Sequence, residues 1–146
     1  IEKDKRFCDI LKENLKDYKN VEIINADILN TRYKIQNTKY KIVANIPYYL
    51  TSPLIRKFLE AENKPSLMIL MVQKEVAQRI CAKPPKMSLL SVAVQFYAEP
   101  EIITYVSKKS FYPQPKVDSA IIKIIPQPYV GRATSYINTK KFFDLV

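Results

Sequence analysis

The sequence is poor in the residues that many cofactor-binding and metal-binding domains use. It has one glycine in 146 residues, no histidine, and two cysteines, Cys8 and Cys81, that are far apart and belong to no C-x-x-C motif. Average usage would give roughly ten glycines in a chain of this length. Without histidine or paired cysteines, no metal site is expected, and the cysteines are predicted to be reduced thiols of a cytoplasmic protein. No apolar run approaches the roughly 18 residues of a membrane-spanning helix, and no signal peptide is visible.

The charge of the chain is strongly one-sided. There are 24 Lys and Arg residues against 14 Asp and Glu residues, which gives a formal net charge of +10. Such an excess favours a polyanionic partner, and nucleic acid is the first expectation. An anionic membrane surface is the weaker alternative, because no basic amphipathic helix stands out. With 47% apolar residues the chain is long enough for a core of its own, and a monomer is expected.

Apolar periodicity alternates between strand and helix along the chain. This order predicts an α/β fold with a Rossmann-like sheet, mostly parallel, whose last two strands form an antiparallel edge hairpin. Residues 1–126 are predicted to form the catalytic domain, and residues 127–146 a linker and the start of a C-terminal helical domain. Five helices are predicted: one capped by Asp4 and ending near Asn20, one capped by Ser52 with Pro53 at its first position, Lys74–Cys81, Leu89–Tyr97, and one that begins near Thr139. The first predicted strand ends at Glu2. The other predicted strands are Val21–Asn25, Lys41–Ala44, Ser66–Val72, Glu101–Val106 and Ala120–Ile125.

Three polar residues, Glu2, Asp27 and Asn45, follow the ends of three successive predicted strands. The carboxyl ends of parallel strands share one edge of a sheet, so these side chains are expected to line one crevice. An acid after the second strand of such a fold suits ribose hydroxyls, and an acid after the third suits the amine of an adenine. The alternative is that Glu2 and Asp27 are solvated loop acids.

The most informative motif is Asn45-Ile46-Pro47-Tyr48, between a strand and a helix start. It offers an amide, a stiffened carbonyl and an aromatic ring, but no acid, base or nucleophile. Asn45 Oδ1 and the Pro47 carbonyl can accept the two N–H bonds of an adenine amine, while Tyr48 stacks on the flipped base. Methyl transfer from S-adenosylmethionine then needs positioning and electrostatics, with no tuned base. The alternative is that the tetrapeptide is an ordinary turn.

A second aromatic and basic segment follows later in the chain. Phe111 and Tyr112 are the candidates for the opposite face of the base, although they would serve equally as core anchors of a hairpin. Lys108, Lys109 and Lys116 are predicted to contact RNA phosphates. A solvated lysine face is the alternative.

The motifs together resemble the ribosomal RNA adenine N6-dimethyltransferases of the KsgA type. The resemblance extends over nearly the whole chain in the family's order. Its matching stretches are Ile1–Asp4 with Arg6, Asn25–Leu29, Val43–Tyr48, Leu70–Arg79, Leu90–Val92 and Phe111–Ala120.

The resemblance implies S-adenosylmethionine as cofactor and specific roles for the site residues. Glu2 would hold the ribose of the cofactor, and Asp27 with the Ile28 backbone its adenine, with Asn45 also on the cofactor side. Asn45, Pro47 and Tyr48 would hold the target adenine, with Phe111 on its other face. The implied substrate is a pair of adjacent adenines near the 3′ end of small-subunit rRNA, each methylated twice in a 30S-type particle during ribosome biogenesis.

The sequence departs from the family pattern at its ends. The family's first strand and glycine-rich loop are not present and are expected ahead of Ile1, and its C-terminal helical domain is missing beyond about residue 139. This stretch alone is therefore expected to bind the cofactor poorly. Two alternative functions remain: a non-catalytic ribosome-assembly or transcription factor that retains the fold, and a DNA adenine methyltransferase.

Overall fold

The computed structural model describes residues 1–31 and 39–127. The chain divides into two compact units, Ile1–Gln36 and Asn37–Val146. The predicted domain boundary at residues 126–127 stays a prediction, and the helix expected from about Thr139 lies outside the described residues. Within these ranges, no helix has the length and apolar character needed to cross a membrane.

The first unit contains helix α1, Lys5–Asn14. Asp4 caps its start as predicted, because the Asp4 carboxylate accepts the Arg6 backbone N–H at 2.9 Å. The predicted end near Asn20 is wrong, since the chain leaves the helix at Leu15. Asp and Asn side chains compete for the backbone, and two such residues, Asp17 and Asn20, follow Leu15, so the helix is not extended.

The predicted strand Val21–Asn25 is also wrong. It is reduced to one parallel bridge between Glu2 and Asn25. Two backbone hydrogen bonds flank this bridge, Glu2 N–H to the Ile24 carbonyl and Ala26 N–H to the Glu2 carbonyl, both at 3.0 Å. Immediately after Glu2 the partner segment turns into the cap of α1.

The second unit contains a four-stranded sheet in the order β1-β2-β4-β3. Strands β1 and β2 are parallel, whereas β4 is antiparallel to both β2 and β3. The α/β class and the antiparallel hairpin at the sheet edge are confirmed. The strands are β1 Lys41–Asn45, β2 Leu67–Gln73, β3 Ala98–Val106 and β4 Ser119–Pro126.

Three helices accompany this sheet: α2 Thr51–Leu59, α3 Lys74–Ile80 and α4 Leu89–Tyr97. The last two agree with the sequence prediction within one residue. The predicted cap at Ser52 is wrong, because a 3-10 turn, Tyr48–Leu50, runs directly into α2 at Thr51. Pro53 is therefore the third helical residue, where its missing N–H still removes no helical hydrogen bond.

The core of this unit lies on one face of the two central strands. Met68, Leu70 and Val72 alternate along β2, and Ile122 and Ile124 along β4, all with no exposed surface. This alternation is the period-two pattern of a strand with one buried face. Strand β3 begins at Ala98, earlier than predicted, and contains a proline, which an edge strand tolerates.

Candidate active site

Strand direction brings two distant segments to the same edge of the sheet. Asn45 ends β1 and pairs with Met71, near the end of β2. Because β4 runs antiparallel to β2, its first residue, Ser119, pairs with Gln73 at this same edge. The result is a cleft of about 370 Å³, lined by Asn45, Ile46, Pro47, Tyr48, Met71, Phe111, Tyr112, Pro113, Pro115 and Ser119.

Asn45 is one of the residues that line this cleft. The residue is exposed, and within the described part of the chain its side chain makes no hydrogen bond. The next residue, Ile46, is buried and fixes the turn to the core. The Asn45 amide oxygen is thus a free acceptor on an anchored backbone, which is the condition that the predicted adenine contact requires.

The Pro47 carbonyl oxygen already accepts one backbone hydrogen bond. It accepts the Leu50 N–H at 2.9 Å in the 3-10 turn, and Pro47 itself is extended with φ −54° and ψ 135°. A carbonyl oxygen has two lone pairs, so one acceptor position remains. The turn therefore orients the carbonyl while leaving it able to accept one N–H from a ligand.

Tyr48 is half-buried, and its phenol lies 3.0 Å from the Ser119 hydroxyl. The sequence reasoning did not select Ser119 as a site residue. Its only sequence signal was its place just ahead of the last predicted strand, within the Phe111–Ala120 stretch. The partner of its hydroxyl, Tyr48, lies 71 residues away, and no local pattern in the sequence indicates that the two residues pair.

Phe111 and Tyr112 form the other aromatic side of the cleft. Phe111 is half-buried, whereas Tyr112 is fully exposed and is not a core anchor. Asp118 holds the ends of this segment: Asp118 Oδ1 accepts the Lys108 backbone N–H, and the Asp118 carbonyl accepts the Lys74 N–H, both at 3.0 Å. The aromatic segment is therefore tied to the end of β2.

The predicted RNA-binding lysines lie beside the Phe111 segment. Lys108 and Lys109 form the 3-10 turn immediately before it, and Lys116 follows its last proline. Lys109 and Lys116 are exposed and Lys108 is half-buried. Their predicted role in phosphate binding stays a prediction.

The predicted cofactor residues Glu2, Asp27 and Ile28 belong to the first unit. Asp27 accepts the Lys3 ammonium at 2.8 Å and the Leu29 N–H at 2.9 Å. Glu2 Oε1 accepts the Asp4 N–H at 2.8 Å. Both acids are ordered by local hydrogen bonds, and carboxylate oxygens have further lone pairs for a ligand. Their expected meeting with Asn45 in one crevice stays a prediction.

A second depression, of about 400 Å³, lies near the start of β3 and is lined by charged residues. Its Lys123 and Glu101 form an ion pair with each other. The Gln95 amide lines the same depression and donates to the Ile80 and Ala82 carbonyls. Lys123, Glu101 and Gln95 thus already form an ion pair or hydrogen bonds within the protein. Among the residues placed by the structure, no group of three or more His, Cys, Asp or Glu side chains is arranged to hold a metal ion.

Solved structures with the same fold include a dimethyladenosine transferase and a 23S rRNA methyltransferase. A dimethyladenosine transferase from Plasmodium falciparum superimposes with a TM-score of 0.81 at 30% identity, covering 98% of this chain and 51% of that one. The 23S rRNA methyltransferase ErmE gives a TM-score of 0.77 at 31% identity, covering 86% of this chain and 50% of that one. The sheet and its strand-end cleft thus define an α/β domain of the methyltransferase class.

Sequence comparison narrows this class to one family. The sequence model described as ribosomal RNA adenine dimethylase matches residues 1–144. Similar curated proteins carry the name ribosomal RNA small subunit methyltransferase A. One from Dehalococcoides mccartyi is 46% identical, covering 99% of this chain and 50% of that protein. One from Enterococcus faecalis is 40% identical, covering 97% and 50%. The chain belongs to the ribosomal RNA adenine dimethylase family, and it spans about half the length of these relatives.

Proposed function

We propose that the protein transfers methyl groups from S-adenosylmethionine to the N6 amine of adenine in rRNA. The proposed substrate is a pair of adjacent adenines near the 3′ end of small-subunit rRNA, within a 30S-type particle during ribosome biogenesis. The observation that carries this proposal is the cleft in which Asn45, Pro47, Tyr48 and Phe111 meet. A flat purine fits between two aromatic side chains, and its amine needs the two acceptors that this cleft offers.

The cleft residues act on the amine by accepting its hydrogens. The lone pair of an adenine amine is delocalised into the ring, which makes the nitrogen a poor nucleophile. Asn45 Oδ1 and the free lone pair of the Pro47 carbonyl accept the two N–H bonds and favour a more tetrahedral nitrogen. Tyr48 and Phe111 hold the base in line for transfer, which supplies proximity at the reacting atom.

When bound, S-adenosylmethionine would supply an activated methyl group and leave as S-adenosylhomocysteine, so no side chain has to create the electrophile. The proton displaced from the methylated amine would pass to solvent. Glu2 and Asp27 fit the polar parts of this cofactor, because both carboxylates are fixed by backbone N–H donors. We propose that Glu2 binds the ribose hydroxyls of the cofactor, and that Asp27 and the Ile28 backbone bind its adenine amine. The proposal includes a cytoplasmic, monomeric enzyme that needs no metal.

The test is methyl transfer by the purified full-length protein to under-methylated small ribosomal subunits, with radiolabelled S-adenosylmethionine. Asn45→Ala is expected to lower the rate by about 100-fold, the effect of removing one preorganised polar contact at a reacting centre. Asn14→Ala is the matched control, because Asn14 ends α1 and the same side chain is removed there. Absence of transfer by the wild type, or equal rates for wild type and Asn45→Ala, would contradict the proposal.

The two alternative functions predict different results. A non-catalytic factor with this fold predicts no binding of S-adenosylmethionine by calorimetry. A DNA methyltransferase predicts that duplex or single-stranded DNA competes with rRNA as methyl acceptor. We expect cofactor binding and preference for rRNA.

The lysines beside Phe111 are proposed to contact phosphates of the RNA. Lys109→Ala and Lys116→Ala are each expected to weaken RNA binding and to lower the slope of log affinity against log salt by about 0.7 to 0.9 per lost contact. An unchanged slope in both variants would assign these lysines to a solvated surface.

A further inference from the structure

The Ser119 hydroxyl is buried beneath the cleft on a fixed backbone. Ser119 is 1% exposed and is the first residue of β4. It pairs with Gln73 on β2 and with Val106 on β3, so the sheet holds it from both sides. A buried hydroxyl needs a hydrogen-bond partner. The partner of Ser119 is the phenol of Tyr48, at 3.0 Å.

Tyr48 lies in a turn outside the sheet. It opens the 3-10 turn Tyr48–Leu50, between the end of β1 and the start of α2. The ring of a tyrosine turns about χ1 and χ2, and its χ2 well is broad. A hydrogen bond at the far end of the ring restricts χ1, because turning χ1 moves the phenol oxygen out of reach of Ser119. The oxygen lies on the χ2 axis, so the bond fixes the direction in which the ring points.

We propose that Ser119 is a positioning residue that fixes the direction of the Tyr48 ring for stacking on the target base. This inference rests on the proposed function, because it assigns Tyr48 to a flipped adenine. Ser119 does not touch the substrate in this role. It acts through the phenol, so that the ring meets the base without losing torsional freedom at the moment of binding.

The test is a double-mutant cycle on methyl transfer to rRNA in the full-length protein. Ser119→Ala and Tyr48→Phe each remove one side of the hydrogen bond, and Tyr48→Phe keeps the stacking ring. Each is expected to lower kcat/KM for rRNA by about 2- to 10-fold, the factor that one neutral hydrogen bond represents. The double variant is expected to be no slower than the slower single variant, and the Kd for S-adenosylmethionine is expected to stay unchanged.

Matched controls remove the same groups at the opposite end of β1. Tyr40→Phe removes a phenol that donates to the Asn63 carbonyl at 2.9 Å, and Ser66→Ala removes a hydroxyl that donates to the Tyr40 carbonyl at 2.9 Å. Both are expected to keep the wild-type kcat/KM. A loss of stability in the Ser119 and Tyr48 variants would also weaken binding of S-adenosylmethionine, so the unchanged Kd for the cofactor separates the positioning role from instability.

The outcomes separate this inference from the proposed function. If the wild type transfers methyl groups and Ser119→Ala equals it, the positioning role is wrong while the function stands. The positioning role would also be overturned if the fold-loss of kcat/KM in the double variant equalled the product of the losses in the two single variants. If the wild type transfers none, the proposed function fails, and the role of Ser119 fails with it. Should Ser119→Ala not fold, Tyr48→Phe removes the same bond from the other side, and a wild-type rate would then overturn the inference.

Discussion

Replacement of Asp118 by alanine is expected to loosen the aromatic segment of the cleft while leaving its backbone connection intact. The carbonyl of residue 118 still accepts the Lys74 N–H, but the Lys108 N–H loses the Asp118 carboxylate. A hydrogen bond to a charged group contributes about 1.5 to 3 kcal/mol. Asp118 is half-buried, so solvent screening places the loss at about 1 to 2 kcal/mol. For a domain of this size this corresponds to roughly 2 to 8 °C in Tm.

The local effect is expected at one amide. Lys108 begins the 3-10 turn that leads into Phe111, and its N–H has no helical partner of its own. In Asp118→Ala its hydrogen exchange should become fast, while the amides of β2 stay protected. Asp118→Asn is the matched control, because its carboxamide oxygen can still accept the Lys108 N–H. The reasoning would be refuted if Lys108 stayed protected in Asp118→Ala, or if Asp118→Asn lost as much stability as Asp118→Ala.

Three further predictions concern the fold and its ionisable groups. Leu70→Ala, at a fully buried site in β2, should lower the free energy of unfolding in urea by about 2 to 5 kcal/mol, whereas Val43→Ala, 79% exposed, should change it by less than about 1 kcal/mol. The side-chain hydrogen bond from Arg6 lowers the pKa of Asp4. The ionised Asp4 carboxylate therefore stabilises the folded protein fully above the ordinary carboxyl pKa, and this stabilisation is lost as the pH falls through the lowered pKa. Wild type and Asp4→Asn should therefore converge in unfolding midpoint on acidification, and a constant difference would contradict this assignment. Burial raises the pKa of the Cys81 thiol, so alkylation at pH 8 should be slower in the native than in the unfolded protein; equal rates would be inconsistent with this.

Elements with strong local signals were predicted well from the sequence. The apolar run that forms β2 and the residues of α3 and α4 were placed within about one residue, because their apolar residues recur with the spacing of a strand or a helix. The position of Asn45 at a strand end was predicted for the same reason. An apolar strand followed closely by a helix start leaves few other arrangements for the residues between them.

Elements that depend on a distant partner were not predicted. Residues 21–25 have the composition of a strand, but strand formation depends on a neighbouring strand, and among the described residues Glu2 alone pairs with this segment. Leu15 and Tyr18 continue the helical spacing of α1, yet the chain turns at Leu15. The hydrogen bond of Ser119 joins residues far apart in sequence, and no local pattern encodes it.

The topology explains why the two motif segments of the cleft must belong to one site. Parallel strands β1 and β2 both end at the edge where Asn45 lies. Strand β4 enters beside β2 in the opposite direction, so its first residue starts at that edge, and the segment leading into it has to pass there. The segment from Phe111 to Asp118 is that approach, and residues 45–48 are the exit from β1. An antiparallel strand next to a parallel pair thus brings the acceptors Asn45 and Pro47 to the aromatic segment. The chemistry of the cleft therefore depends on the direction of β4 as much as on the identity of any single residue.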